Sequence, residues 1–357
     1  MDKSLKKIRD WFYDRTGFDE FLAFLKKKEV PCHSYTIWYY MGGAILILFL
    51  FQCITGIMLL LYYKPTIETA HKSVIGIMND VPLGWIIRSF HRWSAYFMIA
   101  FVFIHLFSTL ILKAYRKPRE VTWITGCLLF ITTLAFGFTG YLLPWDELSL
   151  AATKVGTDIP RSIPIVGEWI TKLLRGGDDV TGDTLTRFFA LHVCVLPLFI
   201  LAILGIHFIL IQKHGMSIPI SIQRKKNSLR KIPFYPNFFY RELIFWMLIF
   251  GIVITLSLLF PATLGKEADL MAPTPKGVKP EWYFLFFFQT LKLFPSRILF
   301  IPGDTFAILL ILIFGIIFFL LPFIDRKPHG RSGKIITYLT YVFLIYVIIM
   351  TIWGYLS

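Results

Sequence analysis

Apolar residues run through this chain in long unbroken stretches, without the period-two alternation of strands and almost without charge. Seven stretches reach the roughly 20 apolar residues that a membrane-crossing helix needs. They lie at 38–62, 90–112, 121–143, 187–211, 241–261, 304–324 and 335–356. Glu242 and Asp304 are the charged exceptions, and both sit near span ends, where a charge costs least. The pattern predicts an all-α polytopic membrane protein. Four spans precede the basic, proline-containing segment 213–240 and three follow it. The expected division is therefore a four-helix part at 1–212, a basic linker at 213–240 and a three-helix part at 241–357. Over 4–29, Leu5, Ile8, Trp11, Phe12, Phe18, Phe21, Leu22 and Leu25 recur at roughly helical spacing, with Lys and Arg between them. This stretch reads either as a helix lying on the membrane surface or as a solvated basic tail.

Composition strengthens the membrane reading. Of 357 residues, 56% are hydrophobic and 17% charged, against about 45–50% and about 25% in soluble domains. That excludes a soluble enzyme, a disordered chain and a disulfide scaffold. The net charge of +15 does not call for nucleic acid, because Lys and Arg gather in the cytoplasmic loops of membrane proteins. With the N-terminus inside, the inner segments hold 23 of the 37 Lys and Arg residues. The turn with Lys113, Arg116, Lys117 and Arg119 and the stretch with Lys213, Arg224, Lys225, Lys226, Arg230 and Lys231 decide the direction. The expectation is a cytoplasmic N-terminus and, after seven spans, a C-terminus outside. No signal peptide is expected, since the first thirty residues lack an apolar core. Cys32, Cys53, Cys127 and Cys194 form no CxxC or CxxCH motif, so neither a CxxC-type zinc site nor the usual c-type haem attachment is indicated.

Candidate chemistry begins with histidine. His33, His71, His214 and His329 fall in loops or at span ends and are set aside. His91 and His105 lie in the second span, His192 and His207 in the fourth. Ionisable groups inside a membrane are functional candidates by default. The second and fourth spans run in the same direction, so the four form two levels: His91 with His192 outside, His105 with His207 inside. The separations, 14 and 15 residues, correspond to roughly 21 and 22 Å of rise and return each side chain to within about 40° and 60° of the same face. Two bis-imidazole sites stacked across the bilayer suit haem iron used for electron transfer. Zinc fits less well, with two ligands per level. In the first and third spans, Gly42 and Gly56, and Gly126 and Gly140, repeat the 14-residue spacing at the same two levels. Glycine lets a backbone approach a flat ligand, though small residues also serve helix packing. Arg88 and Arg92 flank His91, while Arg119 and Lys213 mark the inner boundary. All four are candidates for haem propionates or for interface anchoring.

The loop after the fifth span carries Pro280-Glu281-Trp282-Tyr283 followed by Phe284. A carboxylate among so many aromatics is partly desolvated, which raises its pKa, and can then accept a proton from a bound hydroxyl near neutral pH. The run Gly137-Phe138-Thr139-Gly140-Tyr141-Leu142-Leu143-Pro144-Trp145-Asp146-Glu147 offers a second wall. Together they suit oxidation of a lipid-soluble quinol.

These residues resemble the cytochrome b family of bc1 and b6f complexes. The carriers are Ile87-Arg88-Ser89-Phe90-His91-Arg92-Trp93-Ser94, Lys117-Pro118-Arg119-Glu120, the Gly137–Trp145 run and Pro280–Tyr283. The likeness extends from about residue 8 to the end. It implies two non-covalent b-type haems, ligated by His91 with His192 and by His105 with His207. It also implies a quinol-oxidation site with Glu281 and Tyr141 beside a Rieske iron–sulfur partner, and electron delivery to a c-type cytochrome. Lys213 and Glu242 match positions lining an inner quinone-reduction site. A homodimer of the complex and lipid contact follow from the same likeness. The 15-residue histidine spacing and the three-helix C-terminal part look like b6 and subunit IV fused in one chain. Where that branch has a cysteine tethering an extra haem, this sequence has Tyr40. Cys32 lies eight residues away, and an arginine usual after the last ligand is Gln212 here.

Three rival classes compete: a dihaem b anchor of another quinone-linked oxidoreductase, a transporter with histidines on a proton path, and a structural subunit without cofactors. The dihaem anchor needs no Pro-Glu-Trp-Tyr loop. A transporter would show broken helices and repeat symmetry, and the structural subunit would not need four ligands. Replacing His207 with Leu is expected to remove one haem and leave the other, read by a reduced-minus-oxidised spectrum. Retention of both would refute the ligand assignment.

Overall fold

The computed structural model describes residues 3–223, 230–273, 275, 277–326 and 331–357. Arg224, Lys225, Lys226 and His329 lie outside the described residues. In chain order the first part holds α1 (Lys3–Thr16), α2 (Phe18–Lys27), β1 (Glu29–Cys32), α3 (Tyr40–Leu60), α4 (Ala70–Asn79), α5 (Gly84–Ile111), α6 (Glu120–Leu142), α7 (Glu147–Asp158), α8 (Gly167–Arg175), α9 (Gly182–Ala190) and α10 (Leu196–His214). There follow α11 (Ile220–Gln223), β2 (Arg230–Pro233), α12 (Phe239–Leu259), α13 (Trp282–Lys292), β3 (Arg297–Ile298), β4 (Ile301–Pro302), α14 (Gly303–Phe319), α15 (Leu321–Ile324) and α16 (Arg331–Leu356).

Six helical stretches among the described residues are long and apolar enough to cross a membrane, and α14 is a shorter apolar helix. Among the described residues the architecture is all-α apart from two short ribbons, and the chain is an integral membrane protein. Seventeen residues in α14 give about 26 Å of rise, a little short of a roughly 30 Å hydrocarbon core. The expected sixth span is interrupted at Leu320, which leaves helical geometry ahead of Pro322. Pro322 has no N–H for the carbonyl four residues back, that of Phe318, and its ring clashes there; Trp123 Nε1 donates to that carbonyl instead. The four residues of α15 then continue the path.

The expected amphipathic stretch at the N-terminus forms two helices instead of one. Gly17 separates them at φ 61°, a left-handed conformation that glycine adopts without steric cost. Leu5, Ile8, Trp11, Phe21 and Phe24 remain exposed on them. The β1–β2 ribbon was not expected. It pairs Val30 with Ile232, both buried in a cluster with Tyr40, Met41 and Phe238, and so ties the N-terminal segment to the entry of α12.

The bundle is built from α3 against α5 and α6 against α10, with α12 packed on α3 and α5 and α16 on α5 and α13. Ala44, Leu48, Phe49, Phe90, Met98, Ile200, Ile249 and Val253 form the central apolar cluster. Side chains such as Met247, Ile313 and Val342 stay exposed, as expected of helices whose outer faces meet lipid.

Two seams join the four-helix part to the C-terminal helices. At the basic end, the Asp325 carboxylate is fully buried. It accepts the Tyr115 O–H at 2.7 Å and the Arg116 Nε–H at 2.9 Å. Lys113 adds a bond to the Gly333 carbonyl and Trp123 Nε1 one to Phe318. At the other end, segment 260–268 is stitched down along its length. Trp93 Nε1 donates to the Phe260 carbonyl at 2.9 Å, Ser89 accepts the Ala262 N–H at 2.9 Å, and His71 Nε2 donates to the Gly265 carbonyl at 2.8 Å. Glu147 N–H reaches the Lys266 carbonyl, and Ala268 N–H the Trp145 carbonyl, both at 3.0 Å.

Removing one partner from a buried ion pair leaves the other uncompensated. Asp325→Ala is therefore expected to destabilise the chain by about 3 kcal/mol, read as a lower thermal midpoint in detergent. An unchanged midpoint would mean that this seam carries no cohesion.

Candidate functional site

The four span histidines come together in two pairs. His91 and His192 face each other with ring centroids 6.4 Å apart and ring planes at 68°. His105 and His207 lie within electrostatic reach of one another. A gap of 6.4 Å between imidazole centroids fits one metal atom held by a nitrogen on each side, with bonds of about 2 Å.

The fourth helix reaches this geometry through a wide turn. Between α9 and α10, residues Leu191–Val195 form a single π turn in which the Leu196 N–H bonds the Leu191 carbonyl. Pro197 stands just beyond it. A proline ring clashes with the carbonyl four residues earlier, and a wider turn relieves that clash. The turn takes up one extra residue after His192. The 15-residue spacing on this helix thereby behaves as 14, and its offset becomes the roughly 40° of α5.

Hydrogen bonds assign the tautomers. Thr55 Oγ1 lies 2.8 Å from His91 Nδ1, Thr125 Oγ1 2.9 Å from His207 Nδ1, and Thr139 Oγ1 3.2 Å from His192 Nδ1. Each threonine gives its own hydrogen to a carbonyl one turn back: Phe51, Val121 and Ala135 respectively. The hydroxyl oxygen can therefore only accept, so the imidazole Nδ1 carries the proton and donates. That leaves the Nε2 lone pair bare, the form a metal ligand requires. His105 differs: its Nδ1 is buried with no partner.

All four glycines stand against these rings. A Cβ on Gly42 would lie 3.9 Å from His105 Cε1, on Gly56 3.4 Å from His91 Cε1, on Gly126 3.5 Å from His207 Cε1 and on Gly140 2.6 Å from His192 Cε1. The His91–His192 level thus offers two bare imidazole nitrogens and the other level one at His207, all flanked by glycine backbone. Among the described residues, no three or more His, Cys, Asp or Glu side chains gather as a metal site. The arrangement fits a flat cofactor that brings its own equatorial ligands. Thr55, Thr125 and Thr139 were not singled out from the sequence. The signal was present, since each directly precedes one of those glycines.

Three of the basic residues expected beside this cofactor meet protein groups. Arg88 donates to the Ala262 carbonyl at 2.7 Å and the Thr263 carbonyl at 3.0 Å, so it clamps the loop after α12. Arg92 Nε donates to the Tyr96 hydroxyl at 3.2 Å. Arg119 donates to the His214 carbonyl at 2.9 Å while its Nε stays buried without a partner. Lys213 is exposed at the end of α10. Glu242 packs against Gly43, where any Cβ would overlap its carboxylate. No hydrogen bond or ion pair joins Lys213 to Glu242 among the described residues. Tyr40 stacks on Phe238 at 4.7 Å, and Cys32 sits on β1 opposite Arg230.

At the opposite end, Glu281 forms the N-cap of α13. Both carboxylate oxygens lie within reach of the Tyr96 hydroxyl, at 2.9 and 3.0 Å. Burial raises the Glu281 carboxyl above the ordinary carboxylate value, against the lowering effects of the Tyr96 hydrogen bond and the Arg92 charge. Tyr141 and Tyr283 face the same carboxylate electrostatically. Tyr283 is buried and approaches Gly137 so closely that a Cβ there would lie 2.7 Å from its hydroxyl. Phe138 and Phe284 meet edge to face at 6.3 Å. The two sequence runs expected to form one apolar pocket are thus in contact, around a single acid. Tyr96 was missed in the sequence, where nothing in α5 pointed to a distant loop.

Comparison with known proteins is consistent across the chain. Residues 25–215 match the family described as cytochrome b/b6/petB, and residues 267–357 match cytochrome b (C-terminal)/b6/petD. A cytochrome bc complex cytochrome b subunit from Chlorobaculum thiosulfatiphilum is 42% identical over 352 residues, covering 98% of this chain and 81% of that protein. Cytochrome b6 from Porphyra purpurea is 44% identical over 216 residues, 60% of this chain and 100% of that one. A solved chain of a hyperthermophilic respiratory complex III superposes with a TM-score of 0.85 at 30% identity, covering 97% of this chain and 90% of that chain.

Because Gly140 leaves the least room, Gly140→Val is expected to push the His192 ring from its place. The haem content of the purified protein should then fall. Full content would show that the close approach of Gly140 is not needed.

Proposed function

This chain belongs to the cytochrome b family, and from that premise we propose that it oxidises quinol at the Glu281 end and carries one electron across the membrane to a quinone site at the basic end. Membership makes it a subunit of a bc or b6f-type complex, an oxidoreductase in electron transport, and implies b-type haem. The finer reading is supported most strongly by one observation: two facing imidazole pairs on α5 and α10, three of the four rings with Nε2 left bare by a threonine acceptor.

The residues that would hold haem are His91 with His192 and His105 with His207, with Gly42, Gly56, Gly126 and Gly140 clearing its faces. When bound, two non-covalent b haems would supply one-electron transfer between the two ends. Arg119, with its unpartnered Nε, suits a propionate at the basic end. Arg88 acts through the loop it clamps. Arg92 acts through Tyr96. Tyr40 fills the position where a covalent attachment would need cysteine, so no third haem is part of the proposal.

At the outer site, Glu281 accepts a proton from the quinol hydroxyl. The carboxylate is raised by burial yet oriented by hydrogen bonding, which suits a base working near neutral pH. Tyr141 faces the same pocket and borders the substrate. Of the two quinol electrons, one leaves to a Rieske iron–sulfur partner and a c-type cytochrome, and the other takes the inward path. Lys213 and Glu242 line the quinone-reduction site. The basic loops put that end and the N-terminus in the cytoplasm and the C-terminus outside. The division into 1–212, 213–240 and 241–357, with α1 and α2 on the inner membrane surface, and a homodimeric complex belong to the same proposal.

Glu281→Gln in the assembled complex is expected to slow quinol oxidation roughly tenfold or more and to leave the haem spectrum intact. Unchanged turnover at saturating quinol would remove Glu281 from the reaction.

A further inference from the structure

We propose that Tyr96 is a positioning residue for quinol oxidation: its hydroxyl, held in turn by Arg92, fixes the Glu281 carboxylate in the orientation that accepts the proton. The inference rests on the role given to Glu281 above.

Direction follows from donor and acceptor chemistry. The Arg92 Nε–H can only donate, and it meets the Tyr96 hydroxyl oxygen at 3.2 Å. The single hydroxyl hydrogen then points to Glu281, whose two oxygens are almost equidistant at 2.9 and 3.0 Å. Every bond in the chain Arg92, Tyr96, Glu281 therefore donates toward the carboxylate. Such a chain polarises its members in one sense and favours the charged end group.

The tyrosine itself is held from both sides. The Arg92 guanidinium lies 5.5 Å from its ring centroid, and the Trp93 ring stands edge-on at 5.9 Å and 89°. Trp93 is fixed by its bond to the Phe260 carbonyl. Glu281, by contrast, enters α13 from a loop without a side-chain capping bond, and from that helix its carboxylate meets the Trp282 backbone. Tyr96 supplies the side-chain hydrogen bond that reaches both carboxylate oxygens across the pocket.

The charged and titratable groups facing Glu281 are Tyr96 and Arg92 from α5, Tyr141 from α6 and Tyr283 from its own helix. Among the described side chains only Tyr96 hydrogen-bonds the carboxylate. Tyr96 also lies five residues after His91 on α5. One helix thus carries both a haem ligand and the group that aims the acid.

The test is Tyr96→Phe in the assembled complex, which keeps the ring and removes one oxygen. A hydrogen bond to a charged acceptor is worth about one pK unit or more. Its loss raises the Glu281 pKa, so the acid limb of quinol oxidation should move to higher pH by about one unit. The haem spectrum should stay that of the parent, while the rate at the alkaline plateau should fall several-fold because the carboxylate is no longer aimed. Redox-induced infrared difference spectra give a second reading: the protonated carboxyl band, absent in Glu281→Gln, should shift in Tyr96→Phe. A residue that merely packs would move neither signal. If both the pH profile and the carboxyl band overlay those of the parent while Glu281→Gln is impaired, the Tyr96 assignment is overturned and the role of Glu281 stands. If Glu281→Gln turns over normally, both are overturned.

Discussion

An imidazole N–H inside a membrane has no water to donate to, and that constraint organises the bundle. A buried donor without an acceptor costs on the order of 1–3 kcal/mol. Three of the four rings meet it with a threonine whose own hydrogen is already bound to its helix backbone. Residues adjacent on a helix point about 100° apart. A Thr-Gly pair can thus offer a hydroxyl to Nδ1 while the glycine leaves space beside Cε1 of the same ring. Thr55-Gly56, Thr125-Gly126 and Thr139-Gly140 each do this. Met41-Gly42 keeps the space without the acceptor, which is why His105 Nδ1 is orphaned.

Placing rings on two parallel helices also demands equal spacing along them. The sequence is unequal by one residue, and Pro197 turns that inequality into a π turn. Backbone bonding is conserved through a wider loop, so the helix remains continuous from Gly182 to His214. A proline that would break a soluble helix here sets the register of a ligand.

The acid at the other end depends on cohesion between two parts of the chain that have little covalent connection nearby. Arg88, Ser89 and Trp93 on α5 hold segment 260–268 through backbone atoms. That anchoring brings the loop to the bundle before α13 begins. Tyr96, one turn further along the same helix, then meets Glu281. At the basic end Asp325 does a similar job with Tyr115 and Arg116. Main-chain partners dominate the first seam and a buried charge the second.

The sequence by itself determined the all-helical class, the positions of the spans to within a few residues, and the two levels on which histidine and glycine recur. These are local signals: a helix in lipid closes its backbone bonds within itself, so length and composition suffice to mark it. The break at Leu320 and the split at Gly17 left local traces in Pro322 and Gly17, yet the uninterrupted apolar pattern outweighed them. Only the tertiary structure decided which side chains the cationic residues meet. Arg88 and Arg92, side by side with His91 in sequence, go to a loop carbonyl and to a tyrosine. Likewise Tyr96 and Glu281 are 185 residues apart, and no periodicity relates them. Their contact depends on how two helices and a loop are stacked, and hydrogen-bond partners across such a stack are fixed by packing in space, to which order along the chain gives no index.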